Sequence, residues 1–122
     1  MEVAREGKGK SKMVVLDTSV VIDRVRKQEE VKENITVVTL TEYPKISGHL
    51  LFKGRVYFPT EQDYITAFNI QRESYRRGKP KSFADLIIAA ICINRREKLI
   101  TKDENFRDIA EVSELNVEVS KS

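Results

Sequence analysis

The sequence predicts an α/β fold, a three-layer sandwich with a mostly parallel central sheet. Short apolar runs rich in β-branched residues recur along the chain, which is the pattern of strands buried on both faces. Segments with helical spacing separate these runs, and that alternation is typical of parallel strands joined by crossover helices. The chain has 122 residues, the length of one ordinary domain, and we expect a single domain over residues 13–122.

The predicted strands are brief. MVVL at residues 13–16, ITVVT at 35–39 and KLIT at 98–101 are nearly continuous apolar runs, so we expect them in the centre of the sheet. VYFP at 56–59 is a short extended piece. LNVEV at 115–119 alternates between apolar and polar residues and predicts an edge strand.

Helices are predicted between the strands. We expect a short helix followed by a solvated turn in residues 19–34. A second helix is predicted to begin near Thr41 or Glu42, before VYFP. The segment DENFRDIAEV at 103–112 predicts a short helix before the last strand. Proline is tolerated in the first turn of a helix, so Pro44 is compatible with the second of these.

Two longer helices have clear start signals. Thr60 with Asp63 three residues later resembles a capping box, and Gly78 is a suitable terminator. Ser82 with Asp85 repeats the pattern and opens the apolar helix that contains LIIAAICI. For the first of the two helices we expect one broad apolar face, made of Tyr64, Ala67, Phe68, Ile70 and Tyr75, with Tyr75 in the core.

Composition excludes several classes of protein. No apolar run approaches the roughly 20 residues that span a bilayer, and no signal-peptide pattern follows the basic start, so we expect a cytoplasmic protein. The single cysteine, Cys92, permits neither an internal disulfide nor a cysteine-based zinc site. Residues 1–12 are basic and almost without apolar side chains, which predicts a flexible tail. The net charge of +3 only weakly favours an anionic partner.

Four acids stand at related places in the predicted fold. Asp17 follows the first strand, Glu42 the second and Asp103 the third, while Asp85 lies in the first turn of the apolar helix. The carboxyl ends of parallel strands share one edge of the sheet, where open α/β folds bind ligands. A helix that starts near this edge can direct Asp85 to the same place. The sequence therefore predicts a cluster of four carboxylates.

Such a cluster needs a counter-ion, because like charges at short range repel and raise one another's pKa. Hard oxygen ligands without His or Cys favour Mg²⁺ or Mn²⁺ over zinc. Each acid also has a structural interpretation: Asp17 as a helix N-cap, Glu42 near the positive end of its helix, and Asp85 and Asp103 as helix-start residues. The coincidence of four acids at one edge favours the site.

The motifs DTSVVID, SFADLIIAA and LITKDENF resemble those of the PIN domain family of nucleases, and the size and spacing are similar to the VapC toxins of prokaryotic toxin–antitoxin pairs. The resemblance covers residues 13 to about 119. It implies a PIN-like fold and a metal-dependent endoribonuclease. It also implies a homodimer and a small antitoxin protein that occupies the active site.

The resemblance also implies roles for individual residues. The implied catalytic and metal-binding residues are Asp17, Glu42, Asp85 and Asp103, with Glu42 either a ligand or the holder of a water molecule. The implied supporting residues are Ser19 and Thr101, small hydroxyls beside the acids, and Asn105. Many relatives have an acid at the position of Asn105, so a second metal position would be weaker or absent here.

Substrate binding has its own candidates, five basic residues between two predicted helices: Arg72, Arg76, Arg77, Lys79 and Lys81. Such residues bind phosphates without regard to sequence. The mechanism that fits is hydrolysis of RNA by water, leaving 5′-phosphate and 3′-hydroxyl ends if it follows the family. The alternative is a catalytically degenerate PIN fold that binds RNA or a partner. Phosphoacceptor and aspartyl-phosphatase readings are disfavoured because Thr18 and Ser19, not acids, follow Asp17.

Overall fold

The computed structural model describes residues 13–120, so the predicted tail at 1–12 lies outside the described part of the chain. The strands are β1 (Val14–Leu16), β2 (Ile35–Thr36), β3 (Val56–Tyr57), β4 (Lys98–Thr101) and β5 (Val117–Val119). The α-helices are α1 (Thr18–Arg26), α2 (Val37–Glu42), α3 (Glu61–Arg76), α4 (Phe83–Arg95) and α5 (Asn105–Glu111). A short 3-10 helix, Pro44–Gly48, follows α2.

Every strand pair in the described residues is parallel. β4 lies between β1 and β5, with Leu16 opposite Ile100 in the β1–β4 pair. β2 pairs with β3, and Asn34 just before β2 forms a bridge to Val15 of β1. The strands therefore follow the order β3-β2-β1-β4-β5, which confirms the predicted parallel sheet.

The sheet separates two hydrophobic cores, which gives the predicted three layers. Val15 and Leu99 point to one face and pack with apolar side chains of α3, α4 and α5. Leu16 and Ile100, their neighbours along the strands, point to the other face, where they pack with α1, α2 and Ile46 of the 3-10 helix. Alternation along very short strands is thus enough to build both cores.

One predicted strand is partly wrong. Only Ile35–Thr36 of ITVVT is extended, because Thr36 is the N-cap of α2 and Val37 already lies in the helix. The predicted helix start near Thr41 is wrong for the same reason, since α2 ends at Glu42. β-branched residues favour strands in general, but here Thr39 lies in a helix, where it is buried and contacts Thr18 of α1.

The long helices begin as predicted but bury a different face of α3. Thr60 and Asp63 form both hydrogen bonds of the capping box, and the Ser82 hydroxyl accepts a bond from the Asp85 backbone N–H. The predicted apolar face of α3 is correct at Ala67 and Ile70. It is wrong at three aromatic residues, whose side chains are exposed: Tyr64, Phe68 and Tyr75. α3 instead buries Asp63, which contacts Asn94 and Arg95 of α4, and Ser74.

In residues 13–120 no helix combines the length and the apolar character that crossing a bilayer requires. Cys92 is a free thiol buried in α4.

Candidate functional site

Two of the four predicted acids are placed by neighbouring central strands. Asp17 ends β1 and is also the N-cap of α1, where its Oδ1 accepts a 2.8 Å hydrogen bond from the Thr18 N–H. Asp103 follows β4 by two residues, and its Oδ1 accepts a 2.9 Å bond from the Asn105 N–H at the start of α5. The structural and functional interpretations of Asp17 are therefore compatible, because capping uses only one carboxylate oxygen.

Helices supply the other two acids. Asp85 is the third residue of α4 and is partly buried. Glu42 is the last residue of α2 and is exposed, so the interpretation that it favours the positive end of a helix is wrong. A helix C-terminus carries the negative end of the dipole, which disfavours a carboxylate. The negative charge of Glu42 is therefore disfavoured by the dipole of its own helix.

The four carboxylates are close enough to act on one another. Burial raises the pKa of Asp85, and the negative charges of Asp103 and Asp17 raise it further, to about 6. Burial also raises the pKa of Asp17, against the opposing effect of hydrogen bonds from Thr101 and Thr18, and Glu42 and Asp103 add to the rise. Acids from four separate segments of the chain therefore share one electrostatic environment.

No Lys or Arg side chain in the described part of the chain neutralises this group. Within residues 13–120, none of the four carboxylates forms an ion pair with Lys or Arg. Even Lys102, which stands in sequence between Thr101 and Asp103, pairs with Asp23 instead. The acids and the Thr18 and Thr101 hydroxyls bonded to them are oxygen donors, which is the donor chemistry that Mg²⁺ and Mn²⁺ prefer.

The carboxylates are not arranged as a ready-made chelate. Across residues 13–120, three or more His, Cys, Asp or Glu side chains do not gather in a group that could hold a metal ion. Mg²⁺ characteristically takes one or two carboxylates and completes its shell with water and substrate phosphate. The donor set suits such open coordination, with Asp17, Asp85, Asp103 and Glu42 as the residues available to hold an ion.

Hydroxyl groups support two of the acids. Thr101 Oγ1 donates a 2.7 Å hydrogen bond to Asp17 Oδ2 and also accepts the Asp103 N–H at 3.0 Å, so it joins the two strand-end acids. Ser19 Oγ is buried and has no hydrogen-bond partner within residues 13–120. Asn105 is exposed and meets Asp103 through its backbone.

Sequence reasoning missed Thr18. Its Oγ1 donates a 2.6 Å hydrogen bond to Glu42 Oε1, while its N–H bonds to Asp17. A hydroxyl residue directly after the first acid was visible in DTSVVID, but the partner across 24 positions of sequence was not.

The five basic residues lie on α3 and on the segment between α3 and α4, and four of them have acidic neighbours. Arg76 pairs with Glu73, Arg77 with Glu111, and both Lys79 and Lys81 with Asp108. Arg72 is different, because its guanidinium lies 5.5 Å from the centre of the Phe68 ring. The local positive field is therefore smaller than the sequence suggests.

Comparisons with known proteins agree with this architecture. The PIN domain family profile matches residues 49–112, just over half of the chain. The fold is similar to a chain in the crystal structure of VapBC-5 from Mycobacterium tuberculosis, with a TM-score of 0.71 and 19% identity over 89% of this chain and 100% of that one. It is also similar to a chain of VapBC2 from Rickettsia felis bound to a promoter DNA fragment, with a TM-score of 0.70 and 15% identity over 87% and 97% of the two chains.

A third similar structure is DNA-bound VapBC from Salmonella typhimurium, with a TM-score of 0.69 and 20% identity over 87% of this chain and 96% of that one. No curated protein sequence matches this chain. At such identities the structural likeness concerns the fold, and the chemistry has to be argued from the residues of this chain.

Proposed function

The chain belongs to the PIN domain family, and on that basis we propose that it is an endoribonuclease that depends on Mg²⁺ or Mn²⁺ and acts as the toxin of a VapBC-type pair. One observation carries the proposal. Four carboxylates from separate segments act on one another electrostatically without a Lys or Arg partner among residues 13–120, and the pKa of Asp85 is raised to about 6. Capping engages only one carboxylate oxygen of Asp17 and does not neutralise the group, and acids perturbed in this way cluster at functional sites.

The acids divide the work in the proposed reaction. Asp17, Asp85 and Asp103 would hold the cation, which, when bound, supplies positive charge to the carboxylates and to the scissile phosphate. Glu42 has one oxygen engaged by Thr18, so its Oε2 can accept a hydrogen bond from the attacking water or bind the cation. Water attacks phosphorus, the bond to the 3′ oxygen breaks, and the products carry 5′-phosphate and 3′-hydroxyl ends.

Supporting residues fix the acids. The Thr101 hydroxyl bonds to Asp17 and to the Asp103 backbone, so it holds both strand-end acids in one orientation. Ser19 Oγ is buried, bonds to no other group of the described residues, and is available to a water or ligand in the site. Asn105 contributes its backbone N–H to Asp103 and no charge, consistent with a site built mainly for one ion.

RNA binding is assigned to the basic residues of the α3–α4 region: Arg72, Arg76, Arg77, Lys79 and Lys81. Because four of these are paired with acids, we assign the largest share of phosphate binding to Arg72.

The decisive test combines metal titration with RNA cleavage. Wild-type protein is expected to bind Mn²⁺ and to cut RNA to 5′-phosphate ends, whereas Asp85→Asn should lower the cleavage rate by about 10³-fold or more and keep the fold. Glu61→Gln is the matched control, because Glu61 is an exposed carboxylate and lies in the first turn of its helix, as Asp85 does in its own. The first turn of α3 contacts the C-terminal end of α4, whereas Asp85 lies at the N-terminal end of α4. Equal cleavage by wild type and Asp85→Asn would refute the proposal, and 2′,3′-cyclic phosphate ends would refute the attack by water.

A second candidate is a PIN fold that binds RNA or a protein without cutting. One observation favours it: three metal-binding side chains do not come together ready-made within residues 13–120. This candidate predicts RNA binding that is independent of Mn²⁺ and unchanged in Asp85→Asn. The two candidates therefore differ in a single binding experiment with and without the metal.

Protein partners follow from the same proposal. The similar structures are VapBC toxin–antitoxin proteins, which supports a small antitoxin partner for this chain, and we also propose a homodimer. The exposed aromatic side chains of Tyr64, Phe68 and Phe83 give the described surface an apolar face on which protein contacts could form. In sedimentation equilibrium, a mass twice that of the monomer would support the dimer, and the monomer mass at high protein concentration would reject it.

We also propose that the protein, as a toxin of this kind, acts in the cytoplasm.

A further inference from the structure

Thr18 is the residue that joins the two sides of the acidic site. Its backbone N–H bonds to Asp17 Oδ1 at 2.8 Å, and its Oγ1 bonds to Glu42 Oε1 at 2.6 Å. Asp17 belongs to the end of β1, and Glu42 to the end of α2. One residue thus connects acids that come from different elements of the fold.

The direction of the hydrogen bonds is fixed by chemistry. An ionised carboxylate only accepts, so the single hydroxyl hydrogen of Thr18 is used on Glu42. Thr39 Oγ1 lies 2.9 Å from Thr18 Oγ1 and must then be the donor of that contact. Thr39 is buried in α2, one helical turn before Glu42, so the chain Thr39 to Thr18 to Glu42 starts in the interior and ends at the site.

Glu42 needs this support. It is exposed, it stands at the unfavourable end of a helix dipole, and among residues 13–120 it has no Lys or Arg partner. A glutamate in that setting would sample several rotamers, since its side chain has three rotatable bonds. A short hydrogen bond to one oxygen selects one of them and leaves Oε2 directed elsewhere.

We infer that Thr18, supported by Thr39, is a positioning residue that holds the Glu42 carboxylate in register with Asp17. The inference deepens the proposed function, on which its metal-binding part rests. Threonine suits the task because its β-branched side chain has few χ1 rotamers, and the backbone N–H bond to Asp17 fixes the residue from which the hydroxyl projects.

The experiment uses the full-length chain and four variants. Thr18→Val keeps the shape and removes the hydroxyl, Thr18→Ser keeps the hydroxyl, and Thr39→Val removes the second donor. Thr41→Val is the matched control, because Thr41 lies on the same helix but is exposed, and its hydroxyl bonds to the Val37 carbonyl. If Thr18→Val does not fold, Thr18→Ala replaces it.

The first measurement needs no metal. In protein labelled with ¹³C at the glutamate carboxyl carbon, the Glu42 resonance is identified by its absence in Glu42→Gln. We expect this resonance to move in Thr18→Val at constant pH and to return to its wild-type position in Thr18→Ser. An unmoved resonance in Thr18→Val overturns the inference.

The second measurement is Mn²⁺ affinity by calorimetry. Loss of a residue that orients a metal ligand weakens binding by about tenfold or more, so we expect that change in Thr18→Val and about threefold in Thr39→Val. Thr18→Ser and Thr41→Val should stay near the wild-type value. Wild-type affinity in Thr18→Val overturns the inference. Failure of wild-type protein to bind Mn²⁺ would instead refute the proposed function, while the resonance measurement would still decide the role of Thr18.

Discussion

Asp63 and Asp85 occupy the same position in two helices and have opposite environments. Each is the third residue of its helix, and each follows a hydroxyl N-cap, Thr60 for α3 and Ser82 for α4. Both backbone N–H groups bond to that hydroxyl. The local signal is the same, so any difference between the two acids comes from what the fold places next to them.

Asp63 is neutralised and Asp85 is not. Burial alone would raise the pKa of Asp63, but hydrogen bonds from the Thr60 N–H, Asn94 and Arg95 outweigh it and leave that pKa below its usual value. Asp85 meets three other acids instead of an arginine, and its pKa rises to about 6. The first arrangement stabilises the fold, whereas the second opposes it, and under the proposed function a bound cation would offset that cost.

The largest expected effect is on the stability of the fold and concerns Asp63, the neutralised acid. Asp63→Asn should lower the free energy of unfolding at pH 7 by about 3 kcal/mol, because Arg95, mostly buried, loses its 3.2 Å partner. Since the pKa of Asp63 is lowered in the folded state, its contribution is present above the unfolded pKa and is lost as the pH falls through the folded pKa. Urea unfolding at pH 7 and at pH 3 measures both statements. If the difference in free energy of unfolding between wild type and Asp63→Asn is as large at pH 3 as at pH 7, both statements are contradicted.

The next effect concerns metal binding to the opposing acid. With the pKa of Asp85 near 6, most of this carboxyl is ionised at pH 7 and about nine-tenths is protonated at pH 5. Protons compete with the cation, so Mn²⁺ affinity should fall about tenfold between these pH values. Calorimetry at the two pH values checks this, and the drop should become smaller in Asp85→Asn. An affinity that does not change with pH would mean that Asp85 is not a ligand.

A smaller effect has the opposite sign to that of Asp63→Asn. Without metal, Asp85→Asn should raise the free energy of unfolding at pH 7 by about 1 kcal/mol, a reduced figure because the site is open to solvent. A folded-state pKa above the unfolded value means that the native state loses stability as the pH rises from about 4 to about 6. The gain should therefore vanish at pH 4. Equal urea midpoints for the two proteins at pH 7 would remove the contrast between the two aspartates.

The smallest effect extends the comparison to cations. Arg72 lies over Phe68 without an acidic partner in residues 13–120, whereas Arg76 lies 3.5 Å from Glu73. Arg72→Ala should weaken RNA binding about threefold and reduce the salt slope by roughly 0.7, the value for one phosphate contact with a single strand. Arg76→Ala should change binding less than twofold. Fluorescence anisotropy over a salt series measures both, and the reverse order would show that pairing does not decide which arginine binds phosphate.

Much of the fold followed from local patterns. The boundaries of α3 and α4 were predictable because capping depends on neighbours three residues apart, and the core strands MVVL and KLIT were predictable because full burial requires continuous apolar residues. The end of β2 was not. Nothing in ITVVT distinguishes a strand from a helix that begins at Val37. In the structure the helix buries Thr39 against Thr18, a residue 21 positions away that no local pattern indicates.

The aromatic residues of α3 show a second limit. Tyr75 and Phe68 were expected in a broad apolar face, but the helix turns Asp63 and Ser74 inward because Asn94 and Arg95 of α4 bind Asp63 there. The partners of Asp63 compensate for the burial of its charge, so this face of the helix is buried although the aromatic residues are left exposed. Such a partnership between residues more than 30 positions apart leaves no periodic trace in the sequence.

The sequence by itself determined which residue types stand near the end of a parallel sheet: acids after Leu16 and Thr101 and in the first turn of α4, all of which offer oxygen atoms as donors. The tertiary structure decided which acids are neutralised and which are not. The physical reason is that a charged side chain finds its partner only when the fold brings two distant segments within a few ångström of each other. The hydrogen bond from Thr18 to Glu42 depends on the fold in the same way. Residue type fixes the charge, and the fold fixes its partner.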